Sequence, residues 1–261
     1  MVKAVSINGK EMEYIRFGKE DGEAFVILPG LSLKSVLGSA DAIVSAYALI
    51  AKDHDIYLFD HVKGEPEGYG IEDMAEDTLE AFKKLGIDKA HIMGVSMGGM
   101  VAQEMALKSP ESTASLILCS TASKADEEFR SVFKEWRELA LKRDEKGLGE
   151  AFGRAVYTPS FFEEYRENIL SACEGAGERE YEDFVTNIDA VLAFDLYEDI
   201  DRIKCRAFVI GAGEDRVLGT KASLDLMAKL GCEGYIYEGY GHGVYDEAAD
   251  YLQRIKGFLE R

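Results

Sequence analysis

The sequence predicts an α/β fold: a mostly parallel central sheet flanked by helices, with an inserted helical cap. Three observations lead to this prediction. Short apolar runs alternate along the chain with stretches of helical periodicity, which is typical of parallel sheets. A sharp glycine-flanked turn joins one such run to a helix at Ser96. Between residues 121 and 203 the strand signals stop, and helical stretches rich in aromatic and acidic residues replace them.

The first part of the chain predicts a hairpin followed by alternating strands and helices. Two β-runs at residues 2–7 and 10–17 meet at Asn8-Gly9, a strong signal for a two-residue hairpin. The apolar runs 24–28 and 56–59 are typical of strands buried in a parallel sheet. Apolar residues at helical spacing over residues 42–50 predict a helix between them.

The middle of the chain continues the same alternation. An amphipathic helix with an acidic outer face is predicted over residues 71–85, and Gly86 suits its C-cap. A strand over 90–95 then leads into the turn at Ser96 and a following helix. Residues 114–119 predict another buried strand.

The segment 121–203 predicts a helical cap inserted into a core domain made of residues 1–120 and 204–261. Its aromatic residues are mostly expected to form the core of the cap, with a few free to line a pocket. They are Phe129, Phe133, Trp136, Phe152, Tyr157, Phe161, Phe162, Tyr165, Phe184 and Phe194.

The strand and helix alternation resumes after the cap. Residues 206–210 and 234–237 predict strands, and residues 220–230 predict a helix between them. A terminal helix is expected from about Tyr245.

Length, composition and net charge limit the kinds of molecule that this chain is expected to bind. The 261-residue chain can form one large α/β domain or two small ones. It has no run of about 18 apolar residues, so no transmembrane helix is expected. Its N-terminus lacks the apolar segment of a signal peptide, which predicts the cytoplasm. The net charge of −19 disfavours nucleic acid and anionic membranes. We therefore expect a small-molecule substrate, with the oligomeric state left open.

Nothing in the spacing of polar residues predicts a metal or a cofactor. Cys119, Cys173, Cys205 and Cys232 show no paired spacing, which favours reduced thiols over disulfides or metal ligands. No group of His, Asp and Glu has the spacing of metal ligands, and the glycine-rich segment 94–99 lacks the full G-x-G-x-x-G spacing of a dinucleotide site.

The turn at Ser96 is the strongest chemical signal. Residues 94–98 form the pattern G-x-S-x-G, in which a strand and a helix approach too closely for side chains at Gly94 and Gly98. Such a turn strains the backbone of the serine and projects its hydroxyl into open space. Taken alone, the pattern also fits an ordinary glycine turn in a β-α unit.

Two further loops supply the partners that a nucleophilic serine needs. The loops after the strands of a parallel sheet share one rim, and Asp215 and His242 each follow a predicted strand. A histidine can take the proton from the serine hydroxyl, and a carboxylate can orient the histidine. We therefore predict a Ser96, Asp215, His242 triad.

Some acidic and histidine residues compete for these roles. The acidic alternatives to Asp215 are Glu214, Asp195, Asp199 and Asp201. His54 and His91 have no context that suggests catalysis, and His61 follows Asp60 where it could border the pocket.

Two backbone amides are predicted to form an oxyanion hole. The negative oxygen of a tetrahedral intermediate needs converging N–H donors. The amide of Met97 lies at the start of a helix, where N–H groups are unpaired. Leu31, in the loop after strand 24–28, is the predicted second donor.

These motifs resemble the α/β-hydrolase superfamily, in particular its small capped serine hydrolases. The resemblance covers essentially the whole chain. It rests on Leu28-Pro29-Gly30-Leu31, Phe59-Asp60, residues 94–99, Gly211-Ala212-Gly213-Glu214-Asp215-Arg216-Val217 and Gly241-His242. The order Ser96, Asp215, His242 is the order that this family uses. Pro29 stands where many relatives have His, and serine at the turn excludes chemistry that uses a covalent aspartate.

The resemblance implies a hydrolase that cleaves small carboxylic esters or thioesters through an acyl-enzyme on Ser96. Relatives with the same triad also hydrolyse carbon–carbon bonds or small peptides, and these remain alternatives. A binding protein that keeps the fold without turnover is the alternative outside enzymes.

Overall fold

The computed structural model describes residues 1–127 and 130–261, so Phe129 lies outside the described residues. Within them one sheet contains eight strands. They are β1 (Lys3–Ile7), β2 (Lys10–Gly18), β3 (Glu23–Leu28), β4 (His54–Phe59), β5 (Ala90–Val95), β6 (Thr113–Cys119), β7 (Arg206–Ala212) and β8 (Glu233–Tyr237).

The sheet is mostly parallel, which confirms the predicted fold class. Its strand order is β1-β2-β4-β3-β5-β6-β7-β8. β2 pairs antiparallel with both β1 and β4, and the pairs from β4 to β8 are parallel. The hairpin between β1 and β2 turns through Asn8 and Gly9 with φ of 46° and 79°, as its two-residue loop requires.

Helices cover both faces of the sheet. They are α1 (Ala40–Ala46), α2 (Ile71–Leu85), α3 (Met97–Lys108), α4 (Arg130–Leu141), α5 (Glu145–Val156), α6 (Pro159–Ser171), α7 (Glu178–Ala193), α8 (Thr220–Leu230), α9 (Val244–Glu247) and α10 (Tyr251–Leu259).

Side-chain alternation along the strands produces two hydrophobic cores. In β3, Val26 and Leu28 belong to one core, and Phe25 and Ile27 belong to the other. The first core includes buried residues of α2, α3 and α8, and the second includes those of α10. Successive strand residues point to opposite faces, so an apolar strand needs a helix layer on each side.

Two predicted helices differ in detail from the observed ones. The predicted helix over residues 42–50 corresponds to α1 and short 3-10 turns at Val36–Ser39 and Tyr47–Leu49. The predicted terminal helix is interrupted, because Ala248 at the end of α9 has extended φ and ψ of −92° and 113°. By contrast, α2 has the predicted bounds and ends at Gly86 with a left-handed φ of 71°.

Helices α4 to α7 lie between β6 and β7 in the chain. Trp136 is 2% exposed and packs against Phe133 and Phe152, with ring centroids 5.5 and 4.8 Å away. Phe162 and Phe184 are also buried, whereas Tyr165 is exposed. The two ends of this segment lie side by side. The backbones of Lys124 and Asp195 form an isolated antiparallel β-bridge, and the Leu196 amide donates to the Ser123 carbonyl.

Across residues 1–127 and 130–261, every helix falls short of the length and apolarity that a membrane span requires. Cys119, Cys173, Cys205 and Cys232 are all free thiols.

Candidate active site

Ser96 occupies a strained turn between β5 and α3. Its φ and ψ are 51° and −119°, a region that residues with a side chain rarely adopt. A Cβ atom at Gly98 would collide with the carbonyl oxygen of Leu28, and one at Gly94 would collide with that of Gly98. The glycines therefore allow the close approach that the sequence pattern predicts.

The end of β6 holds this turn in place. The Ser96 amide donates to the Cys119 carbonyl at 2.9 Å, and Thr121 Oγ1 donates to the Ser96 carbonyl at 2.7 Å. A Cβ at Gly99 would lie 2.6 Å from the Thr121 side chain. The backbone of Ser96 is thus bonded on both its N–H and its C=O, which stabilises the strained conformation.

Asp215 and His242 form a buried pair at the same rim of the sheet. His242 Nδ1 lies 2.9 Å from Asp215 Oδ2, and the two residues are 3% and 7% exposed. A carboxylate can only accept, so Nδ1 carries the proton and Nε2 is left as the basic nitrogen. The amides of Val217 and Leu218 donate to Asp215 Oδ1 at 2.8 and 2.9 Å.

The pKa of Asp215 is lowered by its partners. Burial disfavours the charged carboxylate, but the contact with His242 and the two donated amides outweigh it. The alternatives Glu214, Asp195, Asp199 and Asp201 are all exposed. The described structure therefore brings Asp215, rather than these residues, to His242.

Ser120 links the loop of His242 to the segment that bonds the turn at Ser96. Its hydroxyl donates to the His242 carbonyl at 2.7 Å, and its amide donates to the Ile210 carbonyl of β7 at 2.8 Å. Ser120 has a positive φ of 45°. The segment Cys119–Thr121 thus contacts the backbones of both Ser96 and His242. Ser120 and Thr121 are not among the residues predicted for this site, although polar residues directly after a strand of this sheet are a usable signal.

The insertion also contacts the histidine loop. The Gly243 amide donates to the Val156 carbonyl at 2.7 Å, and a Cβ at Gly241 would lie 2.8 Å from that oxygen. Tyr157 Oη donates to Asp246, and Thr158 donates to Glu247 through its amide and its hydroxyl. The junction of α5 and α6 is therefore hydrogen-bonded to the residue after His242 and to α9.

No hydrogen bond joins Ser96 Oγ to His242 Nε2 in the part of the chain that the structure describes. Catalytic hydrogen bonds of this kind are often formed only when substrate is bound. Ser96 itself is half-buried.

The two predicted oxyanion donors belong to the residue after Ser96 and to the loop after β3. Within the described residues, neither the Leu31 nor the Met97 amide donates to a backbone carbonyl. A Cβ at Gly30 would lie 3.2 Å from Ser96 Cβ, so the loop that carries Leu31 packs directly on the turn. Both amides are therefore available to a negative oxygen close to Ser96.

His61 contacts the peptide that carries the Leu31 amide. Its Nε2 lies 3.0 Å from the Gly30 carbonyl oxygen, which can only accept. In a planar trans peptide the C=O and the following N–H point in opposite directions. The imidazole therefore holds the peptide that carries the Leu31 N–H and directs that N–H away from His61.

Two cavities lie near these groups. A cavity of ≈ 540 Å³ opens beside the loops before Asp215 and His242, and Phe161, Glu214 and Tyr240 contribute to its lining, whereas Ser96 does not. A smaller cavity of ≈ 30 Å³ lies behind the loop at Pro29, and His61 and Glu65 line it.

Both the sequence and the fold resemble known proteins. The family described as alpha/beta hydrolase fold matches residues 23–249. A protein of Rhizobium rhizogenes named "Putative carbamate hydrolase RutD" is 26% identical over 92% of this chain and 94% of its own length.

Two solved structures are similar over almost the whole chain. The enol-lactonase from Burkholderia xenovorans LB400 has a TM-score of 0.85 and 22% identity, covering 99% of this chain and 100% of its own. A meta-cleavage product hydrolase from Pseudomonas fluorescens IP01 has a TM-score of 0.78 and 20% identity, covering 99% and 97%. At these identities the two structures establish the shared fold alone.

Proposed function

This chain belongs to the alpha/beta hydrolase fold family, and from that premise we propose that it is a serine hydrolase of small carboxylic esters or thioesters. One observation carries the proposal. The segment Cys119–Thr121 is bonded to both Ser96 and His242, and His242 is paired with the buried Asp215. This shared support for residues far apart in the sequence favours the roles of nucleophile, base and orienting acid that acyl transfer requires.

The proposed reaction has two steps. Ser96 Oγ attacks the carbonyl carbon while His242 Nε2 takes the hydroxyl proton, and His242 then gives this proton to the departing alcohol or thiol. The acyl group remains on Ser96 as an ester. A water molecule gives a proton to His242 Nε2 and attacks that ester. The bond between the acyl carbon and Ser96 Oγ then breaks, the acid is released, and His242 returns the proton to Ser96 Oγ.

Three groups stabilise the charges that develop. Asp215 accepts from Nδ1 and stabilises the imidazolium form of His242. The Leu31 and Met97 amides are the proposed donors to the tetrahedral oxyanion, where each donor is worth about 10²–10³ in kcat. His61 is proposed as a positioning residue, since it holds the peptide that carries the Leu31 amide.

The insertion α4 to α7 is proposed to act as a cap over the site. Its junction at Val156–Thr158 is fastened to the loop of His242 and to α9, which supports a position next to the base. Half-buried Phe161 and exposed Tyr165 are its candidates for contact with an apolar substrate group.

A carbamate is a second substrate class to test. The observation in its favour is the name of the relative that matches 92% of this chain. A carbamate carbonyl can be attacked by the same serine, so the triad is compatible with both classes. The two classes differ in the group that leaves and in the contacts it needs.

Activity-based labelling combined with substrate turnover tests this proposal. Wild type, Ser96→Ala and the control Ser45→Ala, an exposed serine on α1, are treated with a fluorophosphonate. Each is also assayed on p-nitrophenyl acetate, butyrate and octanoate, a short acyl thioester and an aryl carbamate.

The expected result is labelling and ester or thioester turnover in wild type and Ser45→Ala, with both lost in Ser96→Ala. Labelling at Ser96 with turnover of the carbamate alone would replace the substrate class and keep the mechanism. Labelling without turnover of any of these substrates would favour dienoic acids or peptides as substrates, or a binding role. Absence of labelling in wild type would overturn the triad assignment.

A further inference from the structure

Three side chains of metal-ligand type meet at the edge of the sheet opposite Ser96. Glu23 begins β3, His54 begins β4, and His91 is the second residue of β5. One ligand atom from each lies within 4.8 Å of the others. These residues are distant in sequence, which is why spacing along the chain did not predict them.

The strand register explains why they share one face. β3 lies between β4 and β5, with Glu23 beside His54 and Phe25 beside His91. Glu23 and Phe25 are two positions apart and so point to the same face of the sheet. The rings of His54 and His91 face each other edge-on, with centroids 5.8 Å apart.

A hydrogen bond at the other ring nitrogen prepares His54 as a ligand, and the other ring nitrogen of His91 also has a hydrogen-bond partner. His54 Nδ1 lies 3.3 Å from the Ile50 carbonyl oxygen, and His91 Nδ1 lies 2.8 Å from Ser115 Oγ. A carbonyl only accepts, so His54 Nδ1 carries its proton and Nε2 keeps its lone pair. Metal-binding histidines almost always show this arrangement, in which the second nitrogen donates to a carbonyl or another acceptor.

The separation of one ligand pair matches that expected around a tetrahedral ion. Ligands about 2.0–2.1 Å from Zn²⁺ stand about 3.3 Å apart, and His91 Nε2 lies 3.4 Å from Glu23 Oε2. Two cationic side chains at this edge are engaged elsewhere. Arg206 donates to the Phe258 carbonyl, and Lys256 pairs with Asp53.

We propose that Glu23, His54 and His91 form a binding site for a divalent late first-row metal ion, with Zn²⁺ as the best match. Two imidazole nitrogens and one carboxylate oxygen are ligands that Zn²⁺ prefers, and water takes the fourth position. The ion links three adjacent strands at their amino ends. Ser96 follows His91 by five positions, or about 16 Å along a strand, so the site stabilises the fold and takes no direct part in chemistry at Ser96.

Zinc titration of the chelator-treated full-length protein tests this proposal. We expect one Zn²⁺ per chain by calorimetry, and visible bands of tetrahedral Co²⁺ when cobalt is used instead. At a hundredfold excess of free Zn²⁺ over Kd, the melting temperature should rise by about 5–10 °C. Turnover or fluorophosphonate labelling should be unchanged.

Matched variants separate this site from other ligands in the chain. Glu23→Gln and His54→Gln should lose the cobalt bands and most of the thermal shift, whereas Glu20→Gln and His61→Gln should keep both. Glu23 is largely exposed, so its variant is expected to fold even if a histidine variant does not. Absence of stoichiometric Zn²⁺ binding, or an equal shift in Glu23→Gln and Glu20→Gln, would overturn the proposal.

Discussion

Replacing Glu65 by glutamine should change how the stability of the protein depends on pH. Glu65 is 9% exposed, and its carboxyl oxygens have no hydrogen-bond partner among the described residues. Asp183 of α7 approaches the same loop and accepts from the amides of Gly64 and Glu65. Burial, and then the charge of Asp183, raise the pKa of Glu65 from 4.5 to about 8.

The sign of the effect follows from proton binding. Between pH 4.5 and 8 the folded protein keeps a proton on Glu65 that the unfolded chain releases. The free energy of unfolding therefore falls as pH rises through this window. This difference in pKa between the folded and the unfolded state corresponds to roughly 5 kcal/mol of free energy of unfolding as an upper bound. Glutamine stays neutral and fills the same volume, so Glu65→Gln should not lose this stability.

Thermal unfolding of wild type and variant from pH 5 to 9 checks this prediction. The two melting temperatures should be similar at pH 5 and should diverge as pH rises, with the variant about 10 °C higher near pH 9. The control Glu67→Gln alters an exposed carboxylate of the same loop and should follow wild type. Parallel curves for wild type and Glu65→Gln would refute the reasoning that the buried carboxyl is protonated at neutral pH.

Two further predictions concern the proposed mechanism. Asp215→Asn should lower kcat by about 10⁴-fold, because an amide can donate to Nδ1 and stabilise the wrong tautomer of His242; near-normal kcat would exclude Asp215 as the orienting acid. His61→Leu should lower kcat by about tenfold with little change in KM, a smaller loss than that of a whole oxyanion donor. His61→Gln, which keeps an N–H donor, should recover part of this loss, and equal defects in both variants would argue for a packing role.

The proposed active-site residues come from three distant parts of the chain. The sequence alone did not exclude nearby acidic residues as alternatives to Asp215 in the role of partner to the histidine. In the structure the distinction is physical: Asp215 is buried, accepts two amides and pairs with His242, whereas its competitors are exposed. A carboxylate can be buried only where hydrogen-bond donors replace the water molecules that it loses. The packing of the loops determines which donors reach it.

The sequence alone determined the elements and their order, because their causes are local. Apolar runs specify the buried strands, Asn8-Gly9 specifies the hairpin, and glycines on both sides of Ser96 specify the close turn. These signals were sufficient for the fold class, which the sheet confirms. The cytoplasmic location and the catalytic roles of the named residues stay predictions.

Contacts between residues that are distant in the sequence are evident only from the tertiary structure. Strand register brings Glu23, His54 and His91 together. Loop packing places Ser120 on the backbone of His242 and His61 on the peptide before Leu31. Each of these contacts joins residues at least 30 positions apart. Local preferences act over a few residues, whereas such contacts depend on how strands are ordered and aligned in the sheet.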